Sequence, residues 1–328
     1  MKKLKVGVLS TSNHLVKRIV LPLQNTKNCE IYAIASRDIK KAQQFAEDFN
    51  IQIVHESYQN IIDDPSVDIV YIPLPNHLHL EWVKKAANAG KHILCEKPIA
   101  LNTEEAIKCF DVAKKNNVLL MEAFMYKFHP QWQHAKNTVK TKQIGDITYI
   151  RSSFAYSNPS PSNIRNIKGF GGGALMDIGC YAISVPRFIL DMEPQKVISL
   201  QQTHQEFNTD FLSSGILDFN GIHASYTVGT LSQPNQSVEI IGTGGSIKIE
   251  IPFNTYVDTK AVIEISTPQG LRNVVFDAED QYGLMFDAFA EAIINKGNSP
   301  INIEDAINNM KVIDAVSLSA TSQQWEIL

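Results

Sequence analysis

Cysteine is scarce and scattered in this 328-residue chain: Cys29, Cys95, Cys109 and Cys180 are the only four. No two stand at CxxC or zinc-knuckle spacing, which excludes a dithiol redox centre, a cysteine-based zinc site and a disulfide-stapled small domain. Buried free thiols are expected instead. Long apolar runs are missing as well. The stretch behind Met1-Lys2-Lys3 is about six residues long, short of a signal-peptide core. Nothing approaches the roughly 20 apolar residues of a membrane span, so a cytoplasmic protein is expected. Neither sign of charge is in excess: 30 Lys and Arg stand against 34 Asp and Glu, a formal net charge of -4, with no charge runs. That balance leaves no electrostatic footprint for nucleic acid or an anionic membrane and points to a small-molecule partner.

What the chain does have is 44% hydrophobic residues and length enough for two domains. Up to residue 124, short β-branched apolar runs alternate with amphipathic helical patterns. The runs are 6–9, 31–35, 51–54, 67–74, 92–95 and 118–124; the helical patterns include 39–49, 80–89 and 104–115. Such alternation predicts an α/β domain, a doubly wound parallel sheet of the Rossmann type over residues 1–124. Asp38, Asn76 and Asn102 stand where helix N-caps are needed, Asn102 with Glu105 three residues on. From residue 125 the rhythm changes to a polar helix (131–142), an alternating, half-exposed strand pattern (148–156), a glycine-rich turn with an apolar helix (171–190), seven strand-like runs between 196 and 276, and two closing helices. This predicts an α+β domain, 125–328, built on a large, mostly antiparallel open sheet.

Ligands of a doubly wound sheet bind at the carboxyl ends of its strands, here near Ser10, Ser36, Leu74, Lys97 and Glu122. The first turn raises a difficulty. After Gly7, which is expected to keep the tight turn, Ser10, Thr11 and Ser12 replace the glycines of a phosphate-binding loop. Their hydroxyls and the following helix N-terminus are expected to contact a pyrophosphate. The second strand ends Ala35-Ser36-Arg37-Asp38. An acidic residue at that end would accept from an adenosine ribose and repel a 2′-phosphate, whereas Ser36 and Arg37 suit a phosphate monoester. NADP(H) is therefore favoured over NAD(H), unless Arg37 is only a solvated residue ahead of a capping Asp38. Pro73-Leu74-Pro75-Asn76-His77-Leu78-His79 marks a rigid turn beside the nicotinamide or ribose, with Asn76 as cap, ligand contact or both. Two histidines two residues apart, with no third ligand, make no metal site. Cys95-Glu96-Lys97-Pro98 closes the fifth strand, and the proline biases Lys97 toward extended backbone at the mouth of the sheet. Asp177 and Tyr181, behind Gly171-Gly172-Gly173, are four apart on one helix face, after glycines that let backbone approach a ligand closely.

Taken in order, the Ser-Arg strand end, the Pro-Asn-x-x-His turn and Glu96-Lys97-Pro98 resemble the Gfo/Idh/MocA family of nicotinamide-dependent oxidoreductases. Glu122 to Pro130 and Gly171 to Tyr181 resemble its branch with glucose-fructose oxidoreductase, dimeric dihydrodiol dehydrogenase and NADP-dependent xylose dehydrogenase. The resemblance implies hydride transfer between NADP(H) and a CH-OH or C=O centre of a sugar-like, polyol, vicinal-diol or dicarbonyl substrate. It implies Lys97, Asp177 and Tyr181 as catalytic residues. Tyr181 exchanges the hydroxyl proton, with a nearby ammonium such as Lys97 favouring a phenolate whose ordinary pKa is near 10. Where many members carry Asp-x-x-x-His, this chain has tyrosine, which argues against inositol-dehydrogenase-like chemistry. The cofactor set becomes Gly7, Ser10, Thr11, Ser12, Ser36, Arg37, Leu74, Pro75, Asn76, His79, Glu96, Lys97, Glu122 and Arg165. Arg151, Tyr126 and Phe154 are the substrate candidates, and a homodimer through the second-domain sheet is implied. Two alternatives stand beside this: a catalytically silent NAD(P)-binding sensor, against which Lys97, Asp177 and Tyr181 speak, and a methyltransferase, which would want an acidic end to the second strand.

Overall fold

The computed structural model describes residues 3–11 and 19–328; Ser12, one of the expected phosphate contacts, lies outside them. The chain divides into two compact units, Met1–Met125 with Gln281–Ile307, and Tyr126–Asp280 with Asn308–Leu328.

The first unit is built on six strands, β1 (Leu4–Val8), β2 (Cys29–Ala35), β3 (Ile53–His55), β4 (Ile69–Ile72), β5 (His92–Cys95) and β6 (Leu120–Glu122), in the order β3-β2-β1-β4-β5-β6. All neighbours are parallel. The order reverses between β1 and β4, the switch point at which a doubly wound sheet opens a crevice for its ligand. Every residue of β4 is buried, as a strand covered on both faces requires. Helix starts follow side-chain caps: Asp38 accepts from Lys41 N (3.2 Å) and Asn102 from Glu105 N (3.0 Å), each worth about 1 kcal/mol. The role expected of Asn76 is different. It opens a 3-10 turn, Asn76–Leu78, and the helix His79–Asn88 begins behind Leu78 without a side-chain cap.

Residues 281–307, expected in the second domain, belong to the first unit. In the helix Gln281–Ile294, Phe286 packs edge-on against Tyr71 of β4 (5.2 Å between ring centroids), and the Asp287 carboxylate accepts from the amides of Lys27 and Asn28 ahead of β2. An apolar face and a capping carboxylate that fit β2 and β4 decide the membership; sequence adjacency does not.

The second unit is an open sheet of nine strands: β7 (Ile147–Ser157), β8 (Lys196–Thr203), β9 (Asp210–Phe219), β10 (Ile222–Gly229), β11 (Leu231–Gly242), β12 (Gly245–Ile249), β13 (Ala261–Thr267), β14 (Gly270–Phe276) and β15 (Glu326–Ile327). Their order is β14-β13-β12-β11-β7-β10-β9-β8-β15. Only β7 and β10 run parallel. Along β7 the even residues Ile150, Ser152 and Phe154 are buried while Tyr149 and Arg151 are exposed, so one face is covered and the other open. The helix Cys180–Leu190 covers β7 and β10, and the final helix is fastened to β8 where Ser199 Oγ donates to Val316 O (2.6 Å). Residues 168–190 form, among the described residues, the one helical stretch long and apolar enough to cross a membrane; 78% of that window is buried inside the protein, as in a core helix. All four cysteines are buried thiols.

Candidate functional site

Five adjacent strands of the first sheet end on one edge, and the structure places most of the expected cofactor residues there. At the β1 and β2 ends, Thr11 Oγ1 donates to Ser36 Oγ (2.9 Å), which also accepts from Asp38 N (3.2 Å). The Asp38 carboxylate faces Lys41 N as a helix cap, so the acidic group at this strand end is already engaged. Arg37 stands exposed beside it.

At the β4 and β5 ends the backbone is braced from within. Glu96 accepts from the fully buried Tyr71 hydroxyl (2.6 Å) and from Lys97 N (3.3 Å), and the Lys97–Pro98 peptide is cis. Burial, with Glu96 next, raises the Tyr71 pKa well above the tyrosine range, so the phenol remains a donor. His79 is fully buried between the carbonyls of Leu74 (2.8 Å) and Pro98 (3.0 Å). Burial outweighs the pull of those carbonyls and brings its pKa down to about 4, leaving a neutral ring. Glu122, also buried, accepts from Ile99 N (2.8 Å). His79 and Glu122, expected among the ligand contacts, hold in this structure the turns that carry Leu74, Pro75 and Lys97. Gly7, expected to keep the first tight turn, has a role in packing. It lies inside β1, where a Cβ would come within 2.4 Å of Ile61 Cγ2, so packing alone already calls for glycine there.

In the second unit, Leu175–Gly179 is a π-helical turn that runs into the helix Cys180–Leu190. Such turns concentrate at functional positions. Asp177 lies on the π turn and Tyr181 at the start of the α-helix. Asp177 Oδ1 accepts from Arg165 Nε (2.9 Å) and Oδ2 from the Tyr156 hydroxyl (2.5 Å); its side chain is 12% exposed. The carboxylate raises the Arg165 pKa, while burial and then Asp177 raise that of Tyr156, so both remain donors. Arg165, expected against the cofactor, is in this structure a partner of Asp177.

Tyr181 is 4% exposed and its ring is walled by Phe253 (5.1 Å), Phe154 (6.0 Å) and Tyr126 (6.0 Å). Phe154, a substrate candidate, is one of the rings against Tyr181. Tyr126, the second substrate candidate, is fully buried with its hydroxyl on Ser184 Oγ (2.8 Å) and supports that wall. Arg151 is not brought here at all: it is exposed on the opposite face of β7 and pairs with Glu239, its neighbour on β11. The glycines serve close approach within the protein. A Cβ on Gly172 would lie 2.4 Å from Arg165 O, and one on Gly173 (φ +120°) 2.0 Å from Asp210 Oδ1. Tyr156 and Asp210 were not anticipated. Tyr156 was readable as the residue two beyond Phe154 on the same face of an alternating strand; Asp210, 35 residues from its partner Leu175, had no local signal.

A six-stranded Rossmann sheet followed by an open antiparallel sheet defines a two-unit dinucleotide-binding architecture. Residues 4–124 match the model of the Gfo/Idh/MocA oxidoreductase family, NAD-binding Rossmann fold, and residues 132–248 match a C-terminal domain of that family. The chain belongs to the Gfo/Idh/MocA family. An uncharacterised oxidoreductase of Rhizobium meliloti is 35% identical over 99% of both chains. A D-xylose 1-dehydrogenase (NADP(+)) of Haloferax volcanii is 33% identical over 96% of both. Among solved structures, a 3-ketoreductase from Actinomadura kijaniata in complex with NADP and TDP-benzene superposes with a TM-score of 0.91 at 29% identity, over 97% of this chain and 98% of that one.

Proposed function

We propose that this protein is an NADP(H)-dependent oxidoreductase acting on a CH-OH or C=O centre of a sugar-like, polyol or vicinal-diol substrate. One observation carries the assignment of the chemistry. The Actinomadura 3-ketoreductase has been crystallised as variants at one lysine and one tyrosine that stand 84 positions apart, the separation of Lys97 and Tyr181 here. The donor set at the β1 and β2 ends fits the cofactor: hydroxyls on Thr11 and Ser36 and the Arg37 guanidinium suit a 2′-phosphate, and the one carboxylate nearby, Asp38, is engaged as a helix cap. Ser10, Thr11, Ser36, Arg37, Leu74, Pro75, Asn76 and Lys97 would hold it along the strand ends. Bound NADP(H) supplies or accepts the hydride.

The remaining work falls to this chain's side chains. Tyr181 gives or takes the proton of the substrate oxygen, in an aromatic wall that excludes water. Asp177, fixed by Arg165 and Tyr156, presents a stationary acceptor to a substrate hydroxyl. The open face of the second sheet supports a homodimer joined there: Tyr149, Ile216, Leu200, Val262, Leu271 and Val275 are all exposed. Four buried thiols fit the cytoplasm.

The test follows nicotinamide absorbance with NADP⁺ or NADPH against D-xylose, other aldoses, ketoses, dicarbonyls and trans-diols. Turnover that is lost in Tyr181→Phe, while NADPH still binds, is the expected outcome. Binding of NADPH with no turnover across the panel would leave a cofactor-binding sensor and end the enzymatic reading.

A further inference from the structure

The turn that starts the Asp177 and Tyr181 helix is held by a carboxylate from a distant strand. Asp210, the first residue of β9, accepts from Leu175 N through Oδ2 (2.7 Å). Its other oxygen lies over Gly173, at a place that a Cβ would occupy to within 2.0 Å. Gly173 has φ +120°, a backbone conformation that side chains rarely adopt, so no other residue gives the carboxylate that room. The same glycine is hydrogen-bonded in both directions along the chain. Its N–H donates to Arg165 O (2.8 Å) and its carbonyl accepts from Asp177 N (3.0 Å). Asp210 therefore holds the amide of Leu175 two residues beyond Gly173, the residue to which the backbones of both Arg165 and Asp177 are tied, and Tyr181 follows Asp177 at a fixed four-residue spacing.

We propose that Asp210 is a positioning residue for the reaction: its carboxylate sets the N-terminal end of the helix and with it the places of Asp177 and Tyr181. This rests on the assignment of those two residues to the chemistry. A carboxyl group is suited to the task because in either protonation state it keeps an acceptor oxygen for the amide at the helix start. Asparagine retains one acceptor oxygen at the same reach, alanine none.

Three enzymes are compared with the wild type: Asp210→Ala, Asp210→Asn and Tyr181→Phe, with Asp210→Ser, too short to reach Leu175 N, replacing alanine if that variant does not fold. Each is assayed with NADP⁺ and the fastest aldose of the panel, titrated with NADPH by fluorescence, and followed by amide hydrogen exchange over residues 174–181. Loss of a side-chain cap predicts for Asp210→Ala a kcat lower by roughly tenfold and exchange of the 174–181 amides faster by a similar factor. NADPH affinity stays within about twofold, because the groups assigned to the cofactor's 2′-phosphate are on the first sheet, and Asp210→Asn recovers most of both losses. Wild-type kcat in Asp210→Ala, or an Asp210→Asn variant as impaired as alanine, overturns the proposal. Full activity in Tyr181→Phe overturns the functional assignment instead, and the exchange rates then judge the grip of Asp210 alone.

Discussion

Replacing Tyr156 with phenylalanine removes one hydroxyl and leaves the ring in place. That hydroxyl donates to Asp177 Oδ2 at 2.5 Å, while Arg165 Nε holds Oδ1 at 2.9 Å. A hydrogen bond to a charged acceptor is worth about 1.5–3 kcal/mol. The carboxylate is only 12% exposed, so water replaces the lost donor poorly; Arg165, at 37%, is wet enough to screen part of the charge. The expected loss is therefore in the lower half of the range, about 1.5–2 kcal/mol, or roughly 3–8 °C in Tm for a unit of this size. Urea unfolding followed by fluorescence reads it, with the slope m unchanged. Arg165→Gln in both backgrounds should show a coupling of about 0.5 kcal/mol or more, since the two donors share one carboxylate. The sign of the pH dependence is also fixed. Burial first and Asp177 second raise the Tyr156 pKa, so the bond's contribution is complete below about pH 10 and is lost as pH rises further. The wild type should lose its advantage over Tyr156→Phe as the pH rises on that alkaline side. A variant within about 0.5 kcal/mol of wild type at neutral pH would refute the reasoning.

Asp210 behaves in the opposite pH range. Burial, opposed by the amides of Leu175, Asp210 itself and Ala174, raises its carboxyl from 3.8 to about 6, so the fold favours the protonated form and that stabilisation is lost as pH rises through this interval. The stability advantage of wild type over Asp210→Asn should shrink between about pH 4 and 7, by at most about 3 kcal/mol, in urea midpoints taken across that range; a flat difference contradicts it. His79→Ala removes the one N–H that the neutral ring offers between the carbonyls of Leu74 and Pro98 and opens a cavity, an expected cost of about 2–4 kcal/mol together with weaker NADPH binding, read by unfolding and by cofactor fluorescence. Gly7→Ala drives a Cβ to 2.4 Å from the buried Ile61, which should cost about 1–3 kcal/mol by urea unfolding yet leave NADPH affinity in the folded protein unchanged. An affinity loss there would return Gly7 to the phosphate turn.

The first sheet was legible because β4 and its neighbours are buried on both faces and therefore read as continuous β-branched runs, with capped helices between them. In the second unit, alternation along β7 and short turns between later strands gave the antiparallel character. Residues 281–307 were misplaced for a physical reason. An amphipathic helix shows that it has an apolar face but not which sheet that face fits, and here Phe286 and Asp287 match Tyr71 and the chain ahead of β2.

Side-chain direction separates what was readable in the site from what was not. Residues at the strand ends fall on one edge whatever their rotamers, so Thr11, Ser36, Leu74 and Lys97 were placed by topology alone. Parity along β7 decided more: Arg151 lies one residue from the Ser152, Phe154 and Tyr156 series, and that odd step alone turns its guanidinium to Glu239 on the open face. The step was available in the sequence, since an alternating strand that buries Phe154 must expose its odd positions. Glycine is the harder case, because its missing Cβ leaves the same mark in a sequence whether ligand, side chain or backbone takes the space. At Gly7, Gly172 and Gly173 the space is filled by Ile61, Arg165 and Asp210, so a glycine-rich turn beside a site is as much a statement about the protein's own packing as about its ligand.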